Sequence, residues 1–205
     1  MKSQTFLLEK ILDSKLKLLG EQIKNGAVAV IPTDTIYGIV STALHHSPVE
    51  KVYKLRKRTS SKPMIILIES EKQIRELGVN LTLKQEEMMS KLWPAALSIV
   101  IDADVKKLNY LHRGKKSLAF RVPDDQFLKK LLKITGPIVA PSANFEGEDP
   151  ALNAEEARGY FNDSVAFYID AGTLKSKHST VAKLENEKLV ILREGAAKIP
   201  AQFLK

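Results

Sequence analysis

Groups able to do chemistry recur at or just beyond the ends of apolar runs in this sequence. IPTDTIYG (31–38) sets Thr33, Asp34 and Thr35 past Pro32, two hydroxyls and a carboxylate suited to gripping a small amine or carboxylate. The same residues can also close an Asx or Ser/Thr turn on their own backbone. LRKRTSSKPM (55–64) carries Arg56 and Arg58 two apart as the chain leaves a helical pattern. Two guanidiniums so spaced can clamp a polyphosphate, although the helix dipole alone also favours cations there. SLAFR (117–121) ends in Arg121, and a guanidinium in an apolar strand needs a carboxylate from the protein or from a ligand. PSAN (141–144) offers Ser142 and Asn144 after PIVA, KHSTVAKL (177–184) offers Ser179 before a strand, and ILREGA (191–196) offers Arg193 before Gly195. One such coincidence means little, whereas six could line a single cleft.

The elements that must position these groups alternate along the chain. AVAVI (27–31), MIILI (64–68), LSIVI (97–101), SLAFR (117–121), PIVA (137–140), VAFYID (165–170), TVAKL (180–184) and LVILR (189–193) read as strands, several of them continuous apolar runs suited to a buried sheet. Between them lie helix signals: a capping box at SPVE (47–50) with Pro48 at the first helical position, and comparable chemistry at Thr82–Gln85 and Asn153–Glu156. Leu12, Leu16, Leu19 and Ile23 share one helical face, with Gly26 where a C-terminal cap belongs. Val49, Val52 and Tyr53 share helical spacing, which brings Arg56, Lys57 and Arg58 to a helix C-terminus. Eight strands and about five helices in irregular alternation predict a twisted α/β sheet of mixed direction flanked by helices. No Gly-x-Gly-x-x-Gly follows a strand and no Walker A motif is present, so any nucleotide is held without the common glycine loops.

Composition bounds the rest. The 205 residues, 44% hydrophobic and 27% charged, describe an ordinary globular chain, and residues 1–205 are expected to form one domain. The absence of cysteine excludes disulfides, zinc thiolates and cysteine nucleophiles. Charges interrupt the apolar positions of MKSQTFLLEKILDSKLKLL, which reads as neither signal peptide nor membrane span, and a cytoplasmic protein is expected. The net charge is +8, and two stretches, 51–62 and 105–121, each carry six basic residues and no acidic one. A solvated face explains one such run, while two favour an anionic partner: nucleic acid, nucleotide or phosphorylated metabolite.

In order along the chain, PTDT-x-YG, R-x-R, LWPAALSIV, AFRVP, APSAN, STV and LREGA resemble the patterns of the Sua5/YciO/YrdC family, over roughly residues 25–197. The resemblance implies a YrdC-like fold with a basic concave cavity, and the short form of the family without the second, C-terminal Sua5 domain. It implies a threonylcarbamoyl-AMP synthase, a nucleotidyltransferase that joins L-threonine, bicarbonate and ATP, releases pyrophosphate, and supplies the group for t6A at position 37 of tRNA. Carried over, it makes Thr35, Arg121 and Ser179 the threonine site, with Arg121 on the threonine carboxylate. It makes Arg58, Lys62, Ser117, Ser142, Asn144 and Arg193 contacts to ATP, and Arg56 with Arg58 the catalytic cations. Mg²⁺ would arrive with ATP, and no metal site of the protein's own is expected. Partners implied are tRNA or a downstream threonylcarbamoyl-transferase complex.

Departures from the family patterns are expected to matter. The lysine of K-x-R is Arg56, the following proline is Thr59, which should loosen that loop, and WPGP is Trp93-Pro94-Ala95-Ala96. Leu67 stands where some relatives carry a histidine, which predicts a more apolar threonine pocket. Ser142 and Asn144 keep the S-x-N of the synthase branch, which the YciO-like branch typically lacks. Two rivals are weighed: a non-catalytic double-stranded RNA or tRNA binder of the same fold, and a carbamoyl-transfer domain of the hydrogenase-maturation type, usually found within much larger chains.

Overall fold

Period-two alternation in the apolar runs becomes one sheet in a computed structural model that describes residues 2–205. The strands among the described residues are β1 (Gln4–Leu7), β2 (Ala29–Ile31), β3 (Gly38–Thr42), β4 (Ile65–Leu67), β5 (Leu97–Asp102), β6 (Ser117–Arg121), β7 (Ile138–Val139), β8 (Phe167–Asp170), β9 (Thr180–Glu185) and β10 (Lys188–Arg193). They lie in the order β1-β8-β2-β3-β7-β4-β6-β5-β9-β10. Direction is mixed, as expected: β8 runs parallel to β1 and β2, β4 to β6, and β5 to β9. The remaining neighbours are antiparallel. Eight strands coincide with the apolar runs. The two that sequence reasoning missed are β1, a mostly exposed edge strand, and β3, whose GIVST pattern mixes hydroxyls into a fully buried strand.

Alternation divides the core between the two faces of the sheet. Val28 and Val30 pack into one cluster and Ala29 and Ile31 into the other, and Ile66 and Leu67, or Tyr168 and Phe167, divide the same way. Two helices, α1 (Asp13–Lys24) and α6 (Gln126–Thr135), cover the second face with Leu16, Leu19, Ile23, Leu128, Leu131 and Leu132. Gly20 permits their close approach, since a Cβ there would meet Ile134 Cγ2 at 2.8 Å. The first face carries α2 (His46–Leu55), α3 (Lys72–Glu76), α4 (Leu83–Leu92), α5 (Asn109–His112) and α7 (Ala154–Phe161), whose buried side chains belong to the first cluster. Towards β5, β6 and β9 the second face is left open. There Val100, Ser117, Ala119, Val181 and Lys183 are half-buried, while Ile99, Leu118, Phe120 and Ala182 beneath them are buried.

Local signals fix most helix ends. Thr82 and Gln85 form a reciprocal capping box at α4, and Asn153 Oδ1 accepts from the Glu156 N–H at α7. Gly26, at φ +96°, follows α1 as the left-handed residue after the cap. Two expectations need correction. Helix α2 begins at His46, so Pro48 lies inside the first turn and Ser47 makes no cap. Leu12 precedes α1 and is 74% exposed, so the buried stripe starts at Leu16. No helix among the described residues is long and apolar enough to cross a membrane.

Candidate active site

The polar groups read from sequence converge because the ends of adjacent strands do. A cleft opens beside the loop after β2, the segment after α2, the ends of β6, β7 and β10, and the start of β9. Thr35, Ser142 and Ser179 line it, as do four arginines, Arg56, Arg58, Arg121 and Arg193. Among the described residues no carboxylate lines it.

One end of the cleft is built from hydroxyls and Arg121. The hydroxyl of Thr33 closes the turn on itself, donating to the Ile36 carbonyl at 2.7 Å and accepting from the Thr35 N–H at 3.1 Å. The turn reading of this stretch and the ligand reading therefore divide between its two threonines, with Thr35 Oγ1 3.0 Å from Thr33 Oγ1. Tyr37 anchors the turn to the end of β8: its hydroxyl donates to the Gly172 carbonyl at 2.8 Å and accepts from the Ala171 N–H. Burial pushes its phenol up to about 12, so it stays neutral. Ser179, 2% exposed, shares a 3.0 Å contact with the hydroxyl of Ser98 on β5, and its carbonyl accepts from Arg193 at 2.9 Å. Gly195 packs directly on this backbone, since a Cβ there would meet the His178 carbonyl oxygen at 2.3 Å.

Arg121 has a partner within the protein. Its Nη2 lies 2.9 Å from Asp34 Oδ1, and both side chains are only 4% exposed. The contact is an ion pair without hydrogen-bond alignment, for neither Asp34 oxygen nor Arg121 Nε makes a hydrogen bond. Burial raises the Asp34 carboxyl and lowers the Arg121 guanidinium, outweighing their mutual attraction on each side. Of the two partners open to Arg121, a carboxylate of the protein or one from a ligand, the protein supplies Asp34, while the guanidinium also lines the cleft.

The other end joins the R-x-R and PSAN segments. Arg56, 3% exposed, donates from Nε to the Asn144 carbonyl and from Nη2 to Ser142 Oγ and Asn144 Oδ1, each at 3.1 Å. Burial, with Arg58 adding repulsion, lowers it to about 10, so it keeps its charge. Asn144 lies behind the cleft wall: its Nδ2 donates to the Phe145 and Glu148 carbonyls at 2.7 Å and its Oδ1 serves Arg56. Arg58 donates to the Lys62 and Pro63 carbonyls at 3.2 and 2.9 Å. Lys62 does not line the cleft; its ammonium pairs with Glu146 at 2.9 Å. Ser117 lies in an adjoining hollow of the open sheet face, which shares Pro63 and Ile65 with the cleft. Leu67 is fully buried in the core under α1 and α6, so it does not make the cleft more apolar. Thr59, expected to loosen its loop, is instead fastened: its N–H and hydroxyl donate to Glu146 Oε2 at 2.7 and 2.8 Å.

Participants outside the site residues chosen from sequence include Asp34, Ser98, Glu146 and His178. Asp34 and His178 stood inside quoted motifs, and Ser98 was a lone hydroxyl in the strand LSIVI. Glu146 carried no local signal, because its partners lie 84 and 87 residues away. His178 lines the cleft, and burial with the nearby Arg193 lowers its imidazole below 6.5, which leaves it neutral at pH 7.

The family model covering Sua5, YciO and YrdC, described as telomere recombination, matches residues 21–195. The chain belongs to this family. A putative threonylcarbamoyl-AMP synthase of Methanocaldococcus jannaschii is 30% identical over 92% of this chain and 88% of its own length. The threonylcarbamoyl-AMP synthase of Pyrococcus abyssi is 28% identical over 91% of this chain, which spans only 56% of that relative. The crystal structure of P. abyssi Sua5 complexed with L-threonine superposes with a TM-score of 0.84 at 28% identity, over 95% of this chain and 58% of that one. Escherichia coli YciO superposes at 0.83 over 98% of this chain and 100% of its own, a likeness of fold at 21% identity. In this chain an arginine, Arg56, is built into the wall of the cleft.

Proposed function

We propose that this chain is a threonylcarbamoyl-AMP synthase, using L-threonine, bicarbonate and ATP. The observation that carries the reading is the two-ended cleft. Hydroxyls and Arg121 at one end suit the carboxylate and hydroxyl of threonine, and Arg56, Arg58 and Ser142 at the other suit phosphates, with Arg193, which donates to the Ser179 carbonyl, a further cation facing the same cleft. The relatives named for this reaction and the threonine-bound Sua5 support it. The hollow that begins at Pro63 and Ile65 and reaches Ser117 offers a half-apolar surface for the nucleoside.

The chemistry follows from the substrates. The threonine amine takes up carbon dioxide derived from bicarbonate, forming an N–C bond and releasing a proton to solvent. A carboxylate oxygen of the resulting N-carboxy-threonine attacks the α-phosphorus of ATP. The new O–P bond forms as the bond from the α-phosphorus to the bridging oxygen breaks, and pyrophosphate leaves with that electron pair. No protein nucleophile is needed. The residues contribute positioning and charge: Arg121, held by Asp34, orients the carboxylate, and Arg58 and Arg193 neutralise the phosphates. No group of three or more His, Asp or Glu side chains able to hold a metal occurs among the described residues. Mg²⁺ is read as a passenger of ATP, held by its phosphates.

The test is pyrophosphate release by the purified protein with ATP and bicarbonate, with and without L-threonine, and mass detection of the adenylate. Threonine-dependent pyrophosphate together with the threonylcarbamoyl adenylate is the expected result. A folded protein that binds ATP yet forms neither product would overturn the reading. A protein that ignores ATP but binds duplex RNA with steep salt dependence would favour the RNA-binding alternative.

A further inference from the structure

Two loops meet beside the phosphate end of the cleft, residues 57–62 after α2 and residues 141–148 after β7. Arg56 joins them on the inside, and a second junction, built by Glu146, joins them on the outside. The Glu146 carboxylate accepts from the Thr59 N–H at 2.7 Å, the Thr59 hydroxyl at 2.8 Å and the Lys62 ammonium at 2.9 Å. Its own N–H donates to the Arg56 carbonyl at 2.8 Å, and Lys57 Nζ lies 3.8 Å from the centre of the neighbouring Phe145 ring. Those donors hold the carboxyl down at about 2, so it is ionised throughout the useful pH range.

The consequence reaches Arg58 through the backbone. The Lys62 N–H donates to the Thr59 carbonyl at 3.2 Å, closing a turn whose two ends Glu146 grips. The carbonyls that leave this turn, of Lys62 and Pro63, accept from Arg58 Nε and Nη2. Arg58 Nη1 itself lies 3.8 Å from Glu146. The short contacts of Glu146 are therefore to the turn and not to the arginine, which distinguishes a brace from an anion occupying the place of a phosphate.

We propose that Glu146 is a positioning residue for Arg58: it fastens the 57–62 turn so that the guanidinium is aimed at the cleft before ATP arrives. The inference rests on the reading of Arg58 as a phosphate-binding residue. Without the brace, ATP binding must also order the turn, which weakens binding by about tenfold, the cost of fixing roughly one residue. The step after binding is untouched.

The experiment is steady-state pyrophosphate release by wild type, Glu146→Ala and Glu146→Gln, varying ATP and threonine in turn. It is accompanied by amide hydrogen exchange at Thr59 without ligand. In Glu146→Ala the KM for ATP should rise about tenfold while kcat stays within about twofold and the KM for threonine is unchanged. Thr59 exchange should accelerate. Glu146→Gln keeps an oxygen for the Thr59 N–H and hydroxyl and should recover most of the loss. An unchanged KM for ATP in Glu146→Ala beside an active wild type overturns this inference alone, as does a lowered one. An equal loss in kcat and both KM values overturns it as well, reporting general damage. A wild type that neither binds nor turns over ATP overturns the nucleotide reading and this inference with it.

Discussion

Removing Asp34 should cost far more stability than removing Asp34 and Arg121 together. The two charges lie 2.9 Å apart with side chains 4% exposed. At an effective dielectric constant of about 20 their attraction is about 6 kcal/mol. Burial nevertheless shifts each group towards its neutral form, so desolvation consumes that gain. Deleting one partner leaves the desolvation cost of the other unopposed. Asp34→Ala should therefore lose about 3–5 kcal/mol in urea unfolding, out of a total of about 5–15 kcal/mol for a typical domain. For a chain of this length that is a fall in Tm of about 10 °C. The double variant Asp34→Ala/Arg121→Met should lose only about 1–2 kcal/mol, mostly packing. The singles differ in pH response. In Arg121→Met the raised carboxyl of Asp34 can protonate, so that variant regains stability as pH falls and loses it as pH rises through the folded value. Asp34→Ala has no such relief, because Arg121 stays charged. A loss below about 1 kcal/mol in Asp34→Ala, with the double variant equal to the sum of the singles, would refute the reasoning and mean that the cleft hydrates Arg121.

Other expectations concern the cleft itself. Arg58→Ala should fold normally and lose most pyrophosphate release, by at least about a hundredfold, because its guanidinium lines the cleft beside Pro63; near-normal turnover would remove Arg58 from the reaction. Arg121→Ala should raise the threonine concentration needed for half-maximal rate, and an unchanged threonine dependence would remove it from the pocket. Gly195→Ala sets a Cβ within 2.3–2.5 Å of the backbone of His178 and Ser179, so it should cost about 1–3 kcal/mol and raise the KM for threonine more than that for ATP. Its check is a thermal melt beside the two titrations. Glu146 is held at about 2 against an ordinary 4.5, so the stability it lends is complete above about pH 4.5 and drains as pH falls towards 2. Faster Thr59 amide exchange relative to neighbouring amides over that window would report it.

The apolar runs that became strands, and the polar groups at their ends, were legible because both obey local rules of burial and turn chemistry. β3 was not, since Ser41 and Thr42 in a fully buried strand break the apolar pattern; Ser41 is satisfied by the Ala27 carbonyl at 2.9 Å. Helix α2 began earlier than its Ser47-Pro48 signal because the chain enters the helix at His45, which makes no side-chain cap. Among site residues the pattern that located Thr35, Arg121 and Ser179 was strand termination, a local feature. What each of them touches was not local: Arg121 meets a carboxylate 87 positions earlier in the chain, and Ser179 meets Ser98 across a parallel strand pair. Lys62 shows the converse, a cation in the right segment whose side chain a distant glutamate holds outside the cleft lining.

The arginine at position 56 acquires a meaning from this geometry that its charge alone does not give. A guanidinium has five N–H groups in a fixed plane, and here three hydrogen bonds are committed to Ser142 and Asn144. Those bonds turn the cation into a wall of the cleft and hold the PSAN loop in shape, leaving Nη1 for a ligand. A lysine at the same place is a point donor without the fork, able to follow a phosphate but unable to tie both residues at once. Arg56→Lys should therefore loosen Asn144 and Ser142 while keeping the charge, so its loss should appear in ATP binding and in stability together. Arg56→Met should lose both more severely, since Asn144 Oδ1 is then buried without its donor. Equal ATP affinity in Arg56→Lys and wild type would show that the wall is dispensable and that charge alone serves the reaction.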